Sequence, residues 1–325
     1  MWGPLWTQRF DRPLARRAAF STPWGWRGWW ESFGLSLVVL FVLTACRDHA
    51  DVDRSSQASR PQRIISLSPN VTEILAGVNA FERVIAVSDY CDFPPGVDRL
   101  PRVGSWQTAS LEQLTSLTPD LVIIARPQAA LVESKLVALG YRILVVDGLN
   151  LQDVFDAIGL IGEATGNAQE AQALIESTKE TLDAVQAKTR GAHKPRVLCV
   201  VDRLPGTLRD LYASSEGSFL TELIAIAGGD PVAPPASGGY VKISKEAVLV
   251  LDPEIIIDMV QAPQGRFGED PASVWKELSE VRAVREGRVY PIRETSVLHP
   301  SQFVADTARR FARLIHPEVV DYGSK

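Results

Sequence analysis

The sequence predicts an α/β fold class: two similar lobes, each with a central, mainly parallel sheet, joined by one long inter-lobe helix. Three observations lead there. First, the chain repeats itself. Thr72-Glu73-Ile74-Leu75-Ala76 returns as Thr221-Glu222-Leu223-Ile224-Ala225, and Glu112-x-Leu114-x-x-Leu117-x-Pro119-Asp120-Leu121-Val122-Ile123 returns as Glu246-x-Val248-x-x-Leu251-x-Pro253-Glu254-Ile255-Ile256-Ile257. The echoes lie 149 and 134 residues apart, too far for a solenoid period and suited to two lobes of one architecture. Second, short apolar runs without polar alternation are separated by helical stretches, as expected of parallel strands covered on both faces. Third, residues 151–189 contain no Pro and carry one helical apolar face. Two such lobes leave a cleft between them, and small molecules bind in clefts of that kind.

The first 45 residues stand apart in composition. They hold six of the eight Trp, and Arg9, Arg12, Arg16, Arg17 and Arg27 outnumber Asp11 and Glu31. An apolar run from Phe33 to Ala45 follows, ending at Cys46. A basic leader, a short apolar run and small residues make a secretory signal, and the run falls short of the ~20 residues that a spanning helix needs. Leu43-Thr44-Ala45-Cys46 resembles a bacterial lipobox, which makes Cys46 the lipidation site and the mature N-terminus. Several acyl chains on one Cys hold a protein stably at a membrane, where a single chain does not. The leader carries +3, so the remainder is about −8 against −5 for the whole chain. An acidic domain without a basic cluster speaks against a nucleic-acid partner.

Residues 46–62 are polar after the Cys, without apolar periodicity, and read as a flexible tether. In the first lobe, candidate strands are Arg63–Leu67, Val84–Ser88, Leu121–Ala125 and Ile143–Asp147. Candidate helices there are Val71–Val78, Ser110–Leu117 and Leu131–Leu139. The stretch 151–189 reads as helix with one break at Gly166-Asn167, and Leu174, Ile175, Thr178, Leu182 and Val185 share a face. Arg190-Gly191 with Pro195 ends it. In the second lobe, strands fall near Arg196–Val201, Ile255–Met259 and Val289–Ile292, and helices near Phe219–Ala227, Ser244–Leu251, Val274–Val281 and Gln302–Ile315. The resulting organisation is a signal segment over 1–45, a tether over 46–62, a lobe over 63–150, a linking helix over 151–190 and a lobe over 191–325. A helical spacer resists bending, so small opening motions are expected. Cys91 and Cys199 fall in different lobes and belong to no C-x-x-C pair, so they are expected to be buried, unpaired thiols.

At Arg63-Ile-Ile-Ser-Leu-Ser-Pro-Asn-Val-Thr-Glu-Ile-Leu75 the chain resembles the cobalamin-type substrate-binding proteins of ABC importers. Val87-Ser-Asp-Tyr-Cys-Asp-Phe-Pro-Pro95 and Leu-Pro-Arg-Val-Gly-Ser-Trp106 extend the resemblance, as does the Leu-Glu-x-Leu…Pro-Asp-Leu-Val-Ile stretch. It runs from about Arg63 to about Pro317. The C-lobe segment Gly217-Ser-Phe-Leu-Thr-Glu-Leu-Ile-Ala-Ile-Ala-Gly-Gly229 is shared with relatives that carry haem or ferric siderophores. The resemblance implies a lipid-anchored, monomeric receptor at the periplasmic or extracytoplasmic face. Its partners would be an ABC permease dimer with its ATPase, its expected ligand cobalamin or a related corrinoid, with no other cofactor.

A corrinoid is a broad, mostly apolar disc, so its receptor needs flat aromatic surfaces. Tyr90 and Phe93 lie in a Pro-rich loop after the strand Val84–Ser88, at a strand carboxyl end, where ligands of open α/β sheets collect. Trp106 follows Gly104-Ser105 and reads as loop. Tyr240, in Ser-Gly-Gly-Tyr, reads as a flexible loop at the position where the relatives lay a ring over the ligand. His299-Pro300 precedes the last helix, where an imidazole can meet a metal centre, although a lone His before Pro is more often a satisfied loop residue. His193 and His316 flank helix ends and read as surface, Trp275 as packing, and Arg126 as a paired surface charge. With so few His, a zinc or manganese receptor is disfavoured and no protein-held metal is expected.

Glu73 and Glu222 are the same residue of the two repeats, and the resemblance implies that such glutamates pair with arginines of the two permease subunits. Exposed charges of that kind set orientation and encounter rate. Helix capping is the competing reading, since Asn70 stands three before Glu73, but Phe219 at the equivalent place cannot cap. Within the same class, a haem or ferric-siderophore receptor is the alternative to a corrinoid receptor. An enzyme is the alternative from another class. The chain has no G-x-S-x-G, H-E-x-x-H or G-x-x-x-x-G-K-[ST], and no nucleophile–base set can be assembled from its four His. No enzymatic activity is expected.

Overall fold

Strand β1 (Ile64–Ser66) is buried along its whole length, as the uninterrupted run Ile64-Ile65 requires of a strand covered on both faces. The structure is a computed structural model that describes residues 60–105, 108–236, 238–259 and 271–318. The signal segment with Cys46, most of the tether, and Trp106 lie outside the described residues.

From β1 the chain runs through α1 (Pro69–Gly77), β2 (Val84–Val87), α2 (Leu111–Ser116), β3 (Leu121–Ala125), α3 (Arg126–Ala138) and β4 (Ile143–Val146). These strands form one fully parallel sheet in the order β2-β1-β3-β4. Helix α3 starts directly off β3, five residues before the predicted Leu131. Pro127 suits its first turn, and Gln128 folds back to accept from Ala125 N at 3.0 Å.

The Pro-free stretch forms two helices, α4 (Leu151–Thr165) and α5 (Ala168–Thr189). Asn150 and Asp153 form a reciprocal capping box at the start of α4. Gly166, in the left-handed region at φ 71°, ends it. Arg83 ties the turn from outside, donating to the Thr165 carbonyl at 2.8 Å and to Asn167 Oδ1 at 2.5 Å. The two helices then pack on each other, with Gly162 against Ala171. The spanning element is α5 alone, about 33 Å long at 1.5 Å per residue. Its predicted face is inward, with Thr178, Leu182 and Val185 buried.

Beyond it come β5 (Arg196–Asp202), β6 (Leu211–Ser214), α6 (Phe219–Ile226), β7 (Asp230–Pro231), β8 (Tyr240–Ile243), α7 (Lys245–Leu251), β9 (Ile255–Met259), α8 (Arg282–Arg285), β10 (Val289–Ile292) and α9 (Val304–Ile315). The second sheet has the order β10-β9-β5-β6-β8. Strands β10, β9, β5 and β7 are parallel neighbours, while β6 runs antiparallel to β5 and to β8. Sequence reading missed β6, β7 and β8, because they are short and sit among Gly, Pro and Ser. The predicted helix at Val274–Val281 is instead a 3₁₀ stretch over Pro271–Leu278, followed by the short α8.

The two sheets share an interior. Inner-face residues Ile64 and Ile123 of one sheet, and Cys199 and Ile257 of the other, belong to one continuous apolar core. That core also takes Ile74 of α1, Ile158 of α4, Leu182 of α5, Leu223 of α6 and Phe311 of α9. The outer faces have cores of their own, around Val122, Ile124, Leu114 and Leu136 in the first lobe and around Leu198, Val200 and Trp275 in the second. The described residues accordingly form one compact unit. Cys91 and Cys199 are free and buried. His316 is buried as well, its Nε2 3.1 Å from the Gly228 carbonyl, so the surface reading of that residue is corrected. No helix among the described residues is long and apolar enough to cross a membrane.

Candidate ligand-binding site

The chain leaves the carboxyl end of β2 into a turn that its own backbone ties down. Ser88 N donates to Ser66 O, Asp89 N to Gly104 O and Cys91 N to Ser88 O. Arg102 completes the frame, its Nη1 donating to the carbonyls of Ser88 (2.8 Å) and Cys91 (2.7 Å). The Cys91 thiol is turned inward, 3.1 Å from both Thr72 Oγ1 and Ser88 Oγ, and burial pushes its pKa up. At the tip of this turn Tyr90 is 63% exposed. A cavity of about 450 Å³ opens beside it, lined by Asp89, Tyr90, Asp92, Pro95, Asp98 and Arg102 among others. Its rim is acidic: Asp89, Asp92 and Asp98 are exposed, while the one cation, Arg102, is already engaged with two carbonyls. An aromatic face in a shallow, acid-rimmed cavity at a strand carboxyl end suits an apolar ligand that carries no excess of negative charge.

The other predicted residues do not gather around this cavity. Phe93 turns across to the second lobe and meets Phe303 edge to face, with ring centroids 5.0 Å apart. Tyr240 is 37% exposed, but it opens strand β8, paired with Ser214, and does not line the cavity. The flexible-loop reading of Tyr240 is thereby corrected. His299 is held by a carboxylate, its Nδ1 2.6 Å from Glu73 Oε1, and does not line the cavity.

The docking assignment of Glu73 and Glu222 is also corrected. Glu73 is 1% exposed, and its second oxygen accepts from Ser301 Oγ. Glu222 is half-buried and accepts from Leu151 N at 2.8 Å. The Glu73 carboxylate is therefore closed to a partner, and one oxygen of Glu222 is engaged within the molecule. The capping alternative fails too, because Asn70 lies within α1 and the cap positions are Ser68 and Ser218. Arg126 makes a two-pronged, exposed pair with Asp147 at 2.8 and 3.0 Å. That pairing raises the guanidinium's pKa and lowers the carboxyl's.

Sequence reading missed Arg102, whose role depends on two carbonyls it could not place, and Phe303. It also missed a buried ion pair at the heart of the second lobe. Arg203 grips Asp258 with Nε (3.1 and 3.0 Å) and Nη2 (2.9 Å), and Trp275 Nε1 donates to the same carboxylate at 2.9 Å. Among the described residues no cluster of His, Cys, Asp and Glu is arranged to hold a metal ion.

Comparison with known proteins agrees with this architecture. The model of a family described as periplasmic binding protein matches residues 64–295. An ABC transporter substrate-binding lipoprotein of Bacillus subtilis, YvrC, is 27% identical over 267 residues, which cover 79% of this chain and 81% of that protein. The vitamin B12-binding protein of Salmonella typhimurium is 28% identical over 198 residues, or 60% of this chain and 71% of the other. Among solved structures, the periplasmic vitamin B12 binding protein BtuF of Vibrio cholerae superposes with TM-score 0.65 at 23% identity, covering 79% of this chain and 98% of that one. A periplasmic heme binding protein of Pseudomonas aeruginosa superposes with TM-score 0.69 at 21% identity, covering 81% and 96%. These last two show a shared fold. On the family match, which spans most of the chain, this protein is a member of the periplasmic binding protein family.

Proposed function

We propose that this protein captures a corrinoid outside the cytoplasm and delivers it to an ABC importer. One observation carries the choice of ligand: Tyr90 stands exposed on a rigidly framed turn over a cavity whose free charges are carboxylates. A haem with two carboxylates, or an anionic siderophore, meets repulsion from Asp89, Asp92 and Asp98, whereas the amide arms of a corrinoid do not. The names of the relatives, a vitamin B12-binding protein and an ABC transporter substrate-binding lipoprotein, support the class. Anchoring through a lipid on Cys46 belongs to the same proposal, supported by Leu43-Thr44-Ala45-Cys46 and by the naming of YvrC as a lipoprotein.

Docking to a two-fold permease needs one exposed acid at matched places in the two lobes. The second echo supplies them. Glu112 and Glu246 are both exposed, both second in a short helix, and both follow a capping Ser (Ser110 and Ser244). We assign the docking role to this pair. The second reading is a haem receptor, favoured by the exposed Tyr90 phenol, since a tyrosine can serve as an axial ligand to haem iron.

Calorimetric titration of the purified protein with cyanocobalamin, haemin and a ferric siderophore decides among these. Saturable one-to-one binding of cyanocobalamin is expected, and Tyr90→Ala should weaken it by about tenfold or more, with the melting temperature unchanged. A tight haemin complex whose spectrum changes in Tyr90→Phe would install the second reading. Binding of none of the three would remove both.

A further inference from the structure

The two repeated glutamates are released from docking, and their surroundings point to another task. Glu73, on α1 of the first lobe, gives one carboxylate oxygen to His299 Nδ1 at 2.6 Å and the other to Ser301 Oγ. Its backbone carbonyl accepts from Gln302 Nε2 at 2.8 Å. All three partners lie in the segment that leads into α9, the helix that follows β10 and packs on α6 of the second lobe. Glu222, on α6 of the second lobe, accepts from Leu151 N at 2.8 Å. Leu151 is the first residue of α4, which follows β4 and packs on β4 and α1. The same residue of each repeat thus crosses to the start of the opposite lobe's last helix.

Between these two crossings the loop 147–150 is wedged between parts of the second lobe. Gly148 lies so close to Pro300 that an added Cβ would sit 2.6 Å from its ring. Leu149 O accepts from Phe219 N at 2.7 Å, and the Leu149 side chain abuts Gly239. The Phe93–Phe303 contact closes the same seam.

We propose that Glu73 and Glu222 are a paired latch between the lobes, positioning residues that fix the lobes' spacing. Acceptors at both places face donors of the other lobe. A displacement too small to admit water breaks those bonds without replacing them, which makes the seam stiff against small openings. Glu222 also places its carboxylate at the positive end of the α4 helix dipole. The latch concerns the ligand-free molecule and does not rest on the corrinoid reading.

The test is a spin-label distance measurement on the purified, ligand-free protein, with labels at Val137→Cys on α3 and Val250→Cys on α7. Both sites are exposed, Cys91 and Cys199 are buried, and the third cysteine, Cys46, is replaced by Ser in the labelled protein. With the glutamates intact, one narrow distribution is expected. Glu73→Ala with Glu222→Ala should at least double its width and lengthen its mean. Glu222→Ala alone should broaden it less, and Glu222→Gln, which keeps the accepting oxygen but loses the charge, should restore it. Unchanged distributions in Glu222→Ala and in the double variant would overturn the latch. So would equal broadening by Glu222→Gln and Glu222→Ala. If the double variant does not fold, the Glu222→Ala and Glu222→Gln pair decides, together with Ser301→Ala, for which broadening is expected and an unchanged width counts against the latch. Absence of cyanocobalamin binding would sink the corrinoid reading while leaving the distances to judge the latch.

Discussion

Asp258 is a buried charge on which the second lobe's interior depends. It sits mid-strand in β9 with no exposed surface, and its charge is met by the Arg203 fork and the Trp275 indole. Removing one partner of a buried pair leaves the other desolvated and alone. Asp258→Ala should therefore cost about 3–5 kcal/mol and lower the melting temperature by roughly ten degrees. Thermal unfolding followed by circular dichroism checks this, and a shift of a degree or two would mean that Arg203 finds water instead. At Cys199, burial pushes the thiol up to about 12 from an ordinary 9.0. Below the ordinary value the thiol is protonated in both the folded and the unfolded chain, so pH has no leverage. Above it the unfolded thiol ionises while the buried one does not, so stability falls as pH climbs from about 9 toward 12. Denaturation midpoints across roughly pH 8 to 11 should decline more steeply for the unsubstituted protein than for Cys199→Ala. Equal slopes would remove the thiol as a cause.

At the scale of elements, the turn between α4 and α5 decides whether the helical stretch acts as one rod or folds back. Gly166-Asn167 signals the break, and the signal is local because a left-handed cap needs a residue without a Cβ. The direction of α5 after the break is not local, since it depends on Gly162 letting Ala171 approach. Gly162→Val should destabilise by about 1–3 kcal/mol through overpacking, measured as a lower denaturant midpoint with an unchanged slope. An unchanged midpoint would show that the helix pair can separate freely. Strands β6 and β8 teach the converse. Their Leu-Tyr-Ala-Ser and Tyr-Val-Lys-Ile stretches gain a place in the sheet only by pairing with each other and with β5. Isolated four-residue runs carry too little pattern to announce that.

For the whole molecule, the interior that runs through α1, α4, α5, α6 and α9 makes the two lobes a single cooperative body rather than two domains on a swivel. Wide opening would expose that core. Glu112 and Glu246 are exposed on that body, which is what the proposed docking requires. Glu112→Lys with Glu246→Lys should cut transport or stimulated ATP hydrolysis by about tenfold or more while ligand affinity stays within about twofold. Uptake at the unsubstituted rate in that variant would return the docking question to other residues.

The internal repeat, the apolar strands and the Pro-free stretch were enough to determine two α/β lobes and a helical connection, because each rests on periodicity within one segment. The motif around Tyr90 was equally legible, since a Pro-rich loop after a buried strand has one sensible place. That Glu73 is buried, where His299 and Phe93 turn, and how Asp258 is neutralised were decided only in three dimensions. Their partners lie 226, 210 and 55 residues away along the chain. Burial and bonding across such distances arise from packing, which a linear pattern does not contain.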